Sequence, residues 1–374
     1  MSTRDANTRM FIHRRLVVRF LLVLLVLLSA ASFISIGLGL GLNTSSDGQE
    51  ESGTPTKLSD MSPFYVLLIG SDSMEGTALY TGGMNEQPQA DGLLLARIDP
   101  ANCIVTLVTV PSNTVLEDFD GMVRDSLTDG PTQTVHMVER IVGVDIRYYF
   151  LMDFSGFEAL LGQVGTLQAD VPVSITMQDP ISARPITVPS GKNVELDEAA
   201  TLAYVRSSEP YAVDADAHRQ LNIRTVITDV MFQVLDLEDD GVRKALGVFE
   251  KEVDTNIGNN LLISLVTRFY DERENVKVYA CTGPYLASAV NEQGQPIVTN
   301  RVSDWRALMT VVDSGEDPAA VMPQYDFRGS EDDYVKETAS SSTASSAAGS
   351  SSKGSTSSST ASRASSTSTA SSKG

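Results

Sequence analysis

The sequence predicts an α/β protein, a layered sandwich of sheet and helices, preceded by one transmembrane helix. Three observations carry that prediction. Short, nearly continuous apolar runs alternate with segments of helical spacing through the middle of the chain, without internal repeats. The stretch Phe20–Leu42 contains no charged residue. Hydrophobic residues make up 42% of 374 residues, enough to bury a core at that length.

The elements follow in chain order. Residues 1–19 carry Arg4, Arg9, Arg14, Arg15 and Arg19 against Asp5 alone, a basic N-terminus expected to stay in the cytoplasm. Residues 20–42 then match the ~20 residues that cross a bilayer core, which places everything after Leu42 outside the cytoplasm. The expected location is a single pass in the cell membrane. A cleaved signal peptide is the rival reading, because Ser29-Ala30-Ala31-Ser32 resembles a small-residue cleavage site; its apolar core would be long against the usual ~7–15 residues. Gly37 and Gly41 form a GxxxG pair that reads either as a helix-packing face or as lipid-facing glycine. Residues 43–61, rich in Ser, Gly, Thr and Glu, read as a spacer. Residues 316–337 read as an acidic linker, and 338–374, almost entirely Ser, Thr, Ala, Gly and Lys, as a tail that buries nothing and stays disordered.

Between them, residues 62–315 form the α/β body. Phe64–Ile69 (FYVLLI) reads as a strand buried on both faces, ending in the turn Gly70-Ser71-Asp72-Ser73. Leu93–Ile98 and Cys103–Val110 are strands joined by a hairpin-like turn at Asp99-Pro100-Ala101-Asn102. Thr134–Val142 has helical spacing, Tyr148–Phe154 is strand-like, and Phe157–Leu161 is helical. Val171–Met177 reads as a further strand and Glu198–Val205 as a helix. Ile223–Leu235 and Asn260–Phe269 are amphipathic helices, with Val276–Ala280 a late strand.

Charge and composition narrow the chemistry. The chain has a net charge of −20, while its first 19 residues hold +4 and its last 37 hold +3, so residues 43–337 carry −27. A surface that acidic repels phosphate polymers and argues against nucleic acid as a partner. Two cysteines, Cys103 and Cys281, build neither a disulfide scaffold nor a four-thiolate zinc site; they pair outside the cytoplasm or stay as two buried thiols. Only three histidines are present, none at a metal-binding spacing, which disfavours histidine catalysis. Ser112 lacks a G-x-S-x-G context, so a serine nucleophile gains no support.

Four side chains remain. Asp72 lies just past FYVLLI and Asp91 just before LLLARI. If those strands are antiparallel neighbours, the carboxylates converge and suit a hard cation such as Mg²⁺; otherwise both are turn residues satisfied by their own backbone. Arg206 follows the helical ATLAYV, and Arg219 lies beyond the polar loop Ser207–His218. The two arginines read either as guanidinium forks for a phosphate or as helix-end side chains that cap carbonyls or pair with Glu209, Asp214 and Asp216. His218 reads as a solvated loop residue.

Several segments in order resemble the LytR-CpsA-Psr (LCP) family of cell-envelope proteins. YVLLIGSDS is similar to that family's strand and GxD turn. ADGLLLARIDPANCIVTLVTVPSNT resembles its RxD strand, DP turn and SIPRDT motif. VGVDIRYYFLMDFSGFEALLGQVGTLQADVP is similar to its central stretch. LDEAATLAYVRSS resembles the helix ending in YVRSR, DADAHRQ the D-x-x-R loop, and VDTNIGNNLLISL the late helix. The resemblance spans about Phe64 to Val312. It implies a mixed sheet sandwiched by helices (an α/β/α body) with an apolar channel. It also implies transfer of a phosphate-linked glycopolymer from a polyprenyl pyrophosphate carrier to peptidoglycan. By resemblance, Asp72 and Asp91 hold Mg²⁺ on the pyrophosphate, Arg206 and Arg219 clamp its oxygens, and all four are the catalytic set.

The chain departs from that pattern at several cations. Gln89 stands where RxD has arginine, Pro111-Ser112-Asn113 where the family has Pro-Arg-Asp, Ser208 at the second arginine of YVRSR, and Asn222 one turn beyond Arg219. A charge-assisted hydrogen bond contributes roughly 1.5–3 kcal/mol, so four lost arginines weaken a phosphate clamp unless Arg124, Arg184 or Arg224 substitutes. Three functions stand open: an active transferase, a non-catalytic relative that binds lipid-linked glycan or an active paralogue, and a structural or adhesive surface protein.

Overall fold

The run Phe64–Ser71 alternates its side chains between two apolar environments, as a strand at the centre of a sandwich must. Phe64, Val66 and Leu68 pack into one core, while Tyr65, Leu67 and Ile69 pack into another. A computed structural model describes residues 58–329, apart from 76, 81–86, 208–210, 212–213, 237–238, 273–274, 286 and 293. These belong to the first of two units of the chain, Met1–Val335; the second, Lys336–Gly374, lies outside the described residues, as does the apolar segment Phe20–Leu42. Among the described residues no helix is long and apolar enough to cross a membrane.

The elements run β1 Phe64–Ser71, β2 Ala90–Asp99, β3 Ile104–Thr109, β4 Thr114–Val115, then a 3-10 segment Val123–Asp129 and α1 Pro131–Val142. Next come β5 Ile146–Met152, α2 Phe154–Val164, β6 Leu167–Val171, β7 Ile175–Gln178, β8 Pro185–Val188 and β9 Gly191–Leu196. Helices α3 Glu198–Arg206, α4 Ala215–Asp236 and α5 Asp239–Glu252 follow, then β10 Asp254–Thr255 and α6 Asn259–Asp271. The body ends with β11 Lys277–Thr282, β12 Ala287–Val290, β13 Pro296–Thr299, α7 Val302–Ser314 and the single turn α8 Pro318–Val321.

The main sheet has the order β10-β5-β1-β2-β3-β11. β1 pairs antiparallel with β2 and parallel with β5, and β3 pairs antiparallel with β2 and parallel with β11, so the sheet is mixed. Residues of α2, α3, α4 and α6 fill the core on one face; α1, α7 and the 3-10 segment fill the other, around a fully buried Trp305. The result is the α/β/α sandwich.

Several boundaries differ from the sequence reading. Tyr148–Phe154 is not one strand: β5 stops at Met152, because Asp153 caps α2 by accepting the Gly156 N–H at 2.8 Å. Val171–Met177 is not one strand either. Pro172 offers no ladder N–H, and its flanks enter two separate hairpins, β6–β9 and β7–β8. The polar loop before Arg219 is shorter than read, since α4 starts at Ala215 and carries His218 inside its first turn. That histidine is buried rather than solvated, stacked on Tyr211 at 4.1 Å and edge-on to Phe327.

The acidic linker 316–337 is described as far as Gly329, and there it packs. Tyr325 is buried, Phe327 meets Tyr285 and His218, and the Arg224 guanidinium donates to the Phe327 carbonyl at 3.2 Å. Cys103 and Cys281 are two buried free thiols. They sit at opposite ends of the β3–β11 pair, since Cys281 faces Val108 while the Lys277 N–H donates to the Cys103 carbonyl. Some five residues of strand, roughly 16 Å, separate them, beyond the span of a disulfide.

Candidate functional site

The site forms where β1 ends and β2 begins. Gly70 pairs with Gly92, but Ser71 pairs with Ala90, so Asp91 is the extra residue of a β-bulge. The consequence is visible in the packing. Ala90 and Leu93 both lie in the α1/α7 core, three residues apart, and the intervening Asp91 turns toward α3 and α4. Without the bulge, regular alternation would put Asp91 on the face of Leu93.

Asp72 follows β1 directly. Its carboxylate accepts the Gln89 N–H at 2.6 Å, and its own N–H donates to the Gln89 carbonyl at 3.0 Å. Burial pushes the Asp72 carboxyl above its ordinary value, the Gln89 N–H opposes that, and the charge of Asp91 pushes it further up. β1 and β2 are antiparallel neighbours, which puts the two carboxylates at the same end of the sheet.

Arg219, one turn into α4, donates to Asp91 at 2.6 Å and also to the Ser112 hydroxyl, with Asp216 at 3.6 Å. Its side chain is 11% exposed. Burial opposes its charge, but Asp91 and then Asp216 overcome that and hold the guanidinium above its usual value. Behind it, the Gln220 amide donates to Asp216 at 2.6 Å, and the Thr109 hydroxyl donates to Gln220 at 2.6 Å. This buried chain ties α4 to β3. Burial also raises the Asp216 carboxyl, against the pull of Arg219. Arg206, the last residue of α3, places its guanidinium 4.6 Å over the Phe154 ring and its Nε 3.7 Å from Asp91. That Nε is buried without a hydrogen-bond acceptor.

An apolar cavity of about 180 Å³ opens beside this cluster, between the sheet and helices α2, α3 and α4. Leu68, Leu94 and Phe150 line its sheet side, and Phe157, Leu202 and Ile227 its helical side. Gly70 and Gly92 face each other across β1 and β2 on its wall, where larger side chains would fill it. Asp91 and Arg206 bound its polar end. The arrangement thus suits an amphiphile with an anionic head.

Asp91, Arg206 and Arg219 meet, Asp72 lies at the same end of the sheet bonded to Gln89, and the positions that lack the family's cations are used otherwise. Gln89 donates to Asp125 at 2.6 Å. Asn113 donates to the Pro296 carbonyl, and Asn222 donates to Tyr204 and Tyr211. Ser112 is a partner of Arg219 rather than a nucleophile. Ser208 lies outside the described residues. Of the substitutes considered, Arg224 is bound into the C-terminal segment and Arg184 is exposed beside β8. Arg124 lies beside the site, its backbone N–H donating to the Ser112 carbonyl at 2.9 Å. The Thr109–Gln220–Asp216 chain had no sequence signal beyond the i, i+4 spacing of Asp216 and Gln220.

For Mg²⁺, the donor chemistry fits. No group of three or more His, Cys, Asp or Glu side chains that could hold a metal occurs among the described residues. Two adjacent carboxylates, one raised partly by the other's charge, suit an ion that takes its remaining oxygens from water and phosphate.

The chain is thus an α/β/α sandwich whose apolar cavity ends at Asp91 and Arg206, with Arg219 bonded to Asp91 behind them. The family model described as the LytR_cpsA_psr family matches residues 41–302. The chain belongs to the LytR-CpsA-Psr family. It is similar to a polyisoprenyl-teichoic acid–peptidoglycan teichoic acid transferase TagU of Bacillus cereus, 22% identical over 235 residues, which cover 61% of this chain and 71% of that one. It is also similar to the corresponding TagV of Bacillus subtilis, 23% identical over 205 residues, 52% of this chain and 50% of the relative. Among solved structures, B. subtilis TagV superposes with a TM-score of 0.51 at 17% identity, covering 68% of this chain and 98% of TagV. Protein gbs0355 of Streptococcus agalactiae superposes at 0.54 and 16% identity, covering 69% and 89%. These superpositions bear on the fold.

Proposed function

We propose that this chain is a membrane-anchored phosphotransferase that moves a glycopolymer from a polyprenyl diphosphate carrier to peptidoglycan outside the cytoplasm. The observation that carries the reading is the placement of Asp91 and Arg206 at the polar end of an otherwise apolar cavity, with Arg219 bonded to Asp91 behind them. A lipid tail fits the cavity walls and an anionic head fits its end. The names of the TagU and TagV relatives supply the substrate class, and the basic head before Phe20–Leu42 supplies the topology.

In this reading Arg206 and Arg219 orient the diphosphate, and Asp91 fixes Arg219. The acceptor hydroxyl oxygen bonds the glycan-bearing phosphorus, and the bridging P–O bond breaks. Its electron pair leaves with the lipid monophosphate, and the hydroxyl proton passes to solvent. Guanidinium groups in a site with little water stabilise the charge that builds on those oxygens. Asp72 and Asp91 would hold Mg²⁺, which would neutralise the diphosphate.

A second reading has its own observation. Gln89, Ser112, Asn113 and Asn222 are all spent on internal hydrogen bonds, which suits a non-catalytic relative that holds lipid-linked glycan or joins an active paralogue. The test is transfer by the full chain in detergent, from a polyprenyl diphosphate-linked glycan to peptidoglycan with Mg²⁺. Transfer lost in Arg206→Gln supports the transferase. Donor binding without transfer supports the second reading, and no donor binding overturns both.

A further inference from the structure

We infer that Arg124 is a third anion-binding guanidinium of this site, reaching it from the opposite side of the sheet, and that it takes the phosphate remote from the lipid. The inference rests on the diphosphate reading above and specifies how that head group is shared among the arginines.

Two contacts bring Arg124 to the site. Its N–H donates to the Ser112 carbonyl at 2.9 Å, and the hydroxyl of the same Ser112 accepts from Arg219. Its neighbour Asp125 accepts the amide of Gln89 at 2.6 Å, and Gln89 is bonded through its backbone to Asp72. Arg124 is thus one residue removed from both halves of the site.

Its guanidinium is not used up there. The Nε is buried and has no hydrogen-bond acceptor. The nearest carboxylate, Asp125 at 4.0 Å, already accepts from Gln89. The side chain keeps 21% of its surface exposed, so an incoming anion can reach it. A desolvated donor of this kind gains more from a charged acceptor than a solvated one does.

The direction of approach decides which phosphate it meets. Val123 and Leu127, which hold the Arg124 segment, pack in the α1/α7 core, whereas Arg206 and Arg219 come from α3 and α4 on the other face. Arg206 lines the apolar cavity and Arg124 does not. A diphosphate whose lipid lies in that cavity presents its first phosphate to Arg206 and its second across the end of the sheet to Arg124.

The experiment is calorimetric titration of the full chain in detergent with geranylgeranyl diphosphate, geranylgeranyl monophosphate and geranylgeraniol. Arg124→Gln is expected to weaken the diphosphate about tenfold or more while leaving the monophosphate within about twofold, and Arg124→Lys to restore most of the loss. Arg206→Gln is expected to weaken both phosphates. No effect of Arg124→Gln, or an equal loss on both phosphates, overturns the inference while Arg206→Gln leaves the diphosphate reading standing. A wild-type chain that binds the diphosphate no better than the alcohol overturns both. A melting curve identical to wild type in Arg124→Lys keeps the comparison free of folding effects.

Discussion

Asp91 is the residue on which the site turns, because it sits against Arg219 in a place where neither charge is well hydrated. Removing the cation leaves Asp91 to the Arg206 guanidinium at 3.7 Å and the buried Asp216 to the Gln220 amide. Arg219→Met is therefore expected to cost about 3 kcal/mol in denaturant unfolding, as broken buried pairs do; a loss below about 1 kcal/mol would show that solvent already screens the pair. Asp229, on α4, is a second residue whose burial has a measurable sign. Burial pushes its carboxyl up to about 6 from an ordinary 3.8. The native chain then binds a proton the unfolded chain has released, so stability falls as pH rises from about 4 through 6 and the penalty is complete at pH 7. With partial solvent screening, Asp229→Asn is expected to gain roughly 1 kcal/mol at pH 7, a melting point about 2–4 °C higher, with the difference vanishing near pH 4. Asp72, Asp91, Arg206 and Arg219 were all legible as polar side chains at element ends. Arg124 was legible only as one of three arginines, with Arg184 and Arg224, that could substitute in the clamp, because nothing in its sequence neighbourhood says that its 3-10 segment folds against Ser112.

At the scale of elements, close approach decides more than propensity. β11 is followed directly by Gly283, whose N–H donates to the Thr109 carbonyl at 3.0 Å. A Cβ built there would lie 2.3 Å from that same oxygen and 2.4 Å from the Trp305 ring. Neither neighbour can retreat, since one is backbone and the other fills the core on that face. Gly283→Ala is expected to lower stability by roughly 3 kcal/mol or more, measured by urea unfolding, and a neutral result would mean that β11 and α7 can separate. The strands β1, β2 and β3 and the helices α1 and α6 were readable from apolar periodicity within a residue or a few of their ends. The bulge that re-aims Asp91 was not, because a bulge exists only in the register between two strands. The start of α4 was hidden for a similar reason: Ala215–His218 is polar by composition, and only Tyr211 and Phe327 make its histidine a core residue.

At the scale of the whole molecule, the segment after α7 closes the body rather than leaving it. Tyr325 is buried, and Asp326 and the Phe327 carbonyl hold Arg224, whose guanidinium burial otherwise pulls down. A chain ending at Gly315 would uncover His218 and Arg224 together. It is expected to melt about 5 °C or more below the full chain, and an unchanged melting point would restore the linker reading of residues 316–329.

The sequence by itself determined the α/β layering, the strands β1, β2 and β3, the helices α1 and α6, and which polar side chains flank those elements, because apolar periodicity and residue chemistry are local properties. Tertiary structure alone decided the mixed strand order, the cavity beside Asp91, the separation of the two thiols and the use of Gln89, Ser112, Asn113 and Asn222 as internal partners. Each of those depends on contacts between residues far apart in the chain, and burial converts the same asparagine or arginine from a solvated surface group into a hydrogen-bonded strut or a desolvated donor.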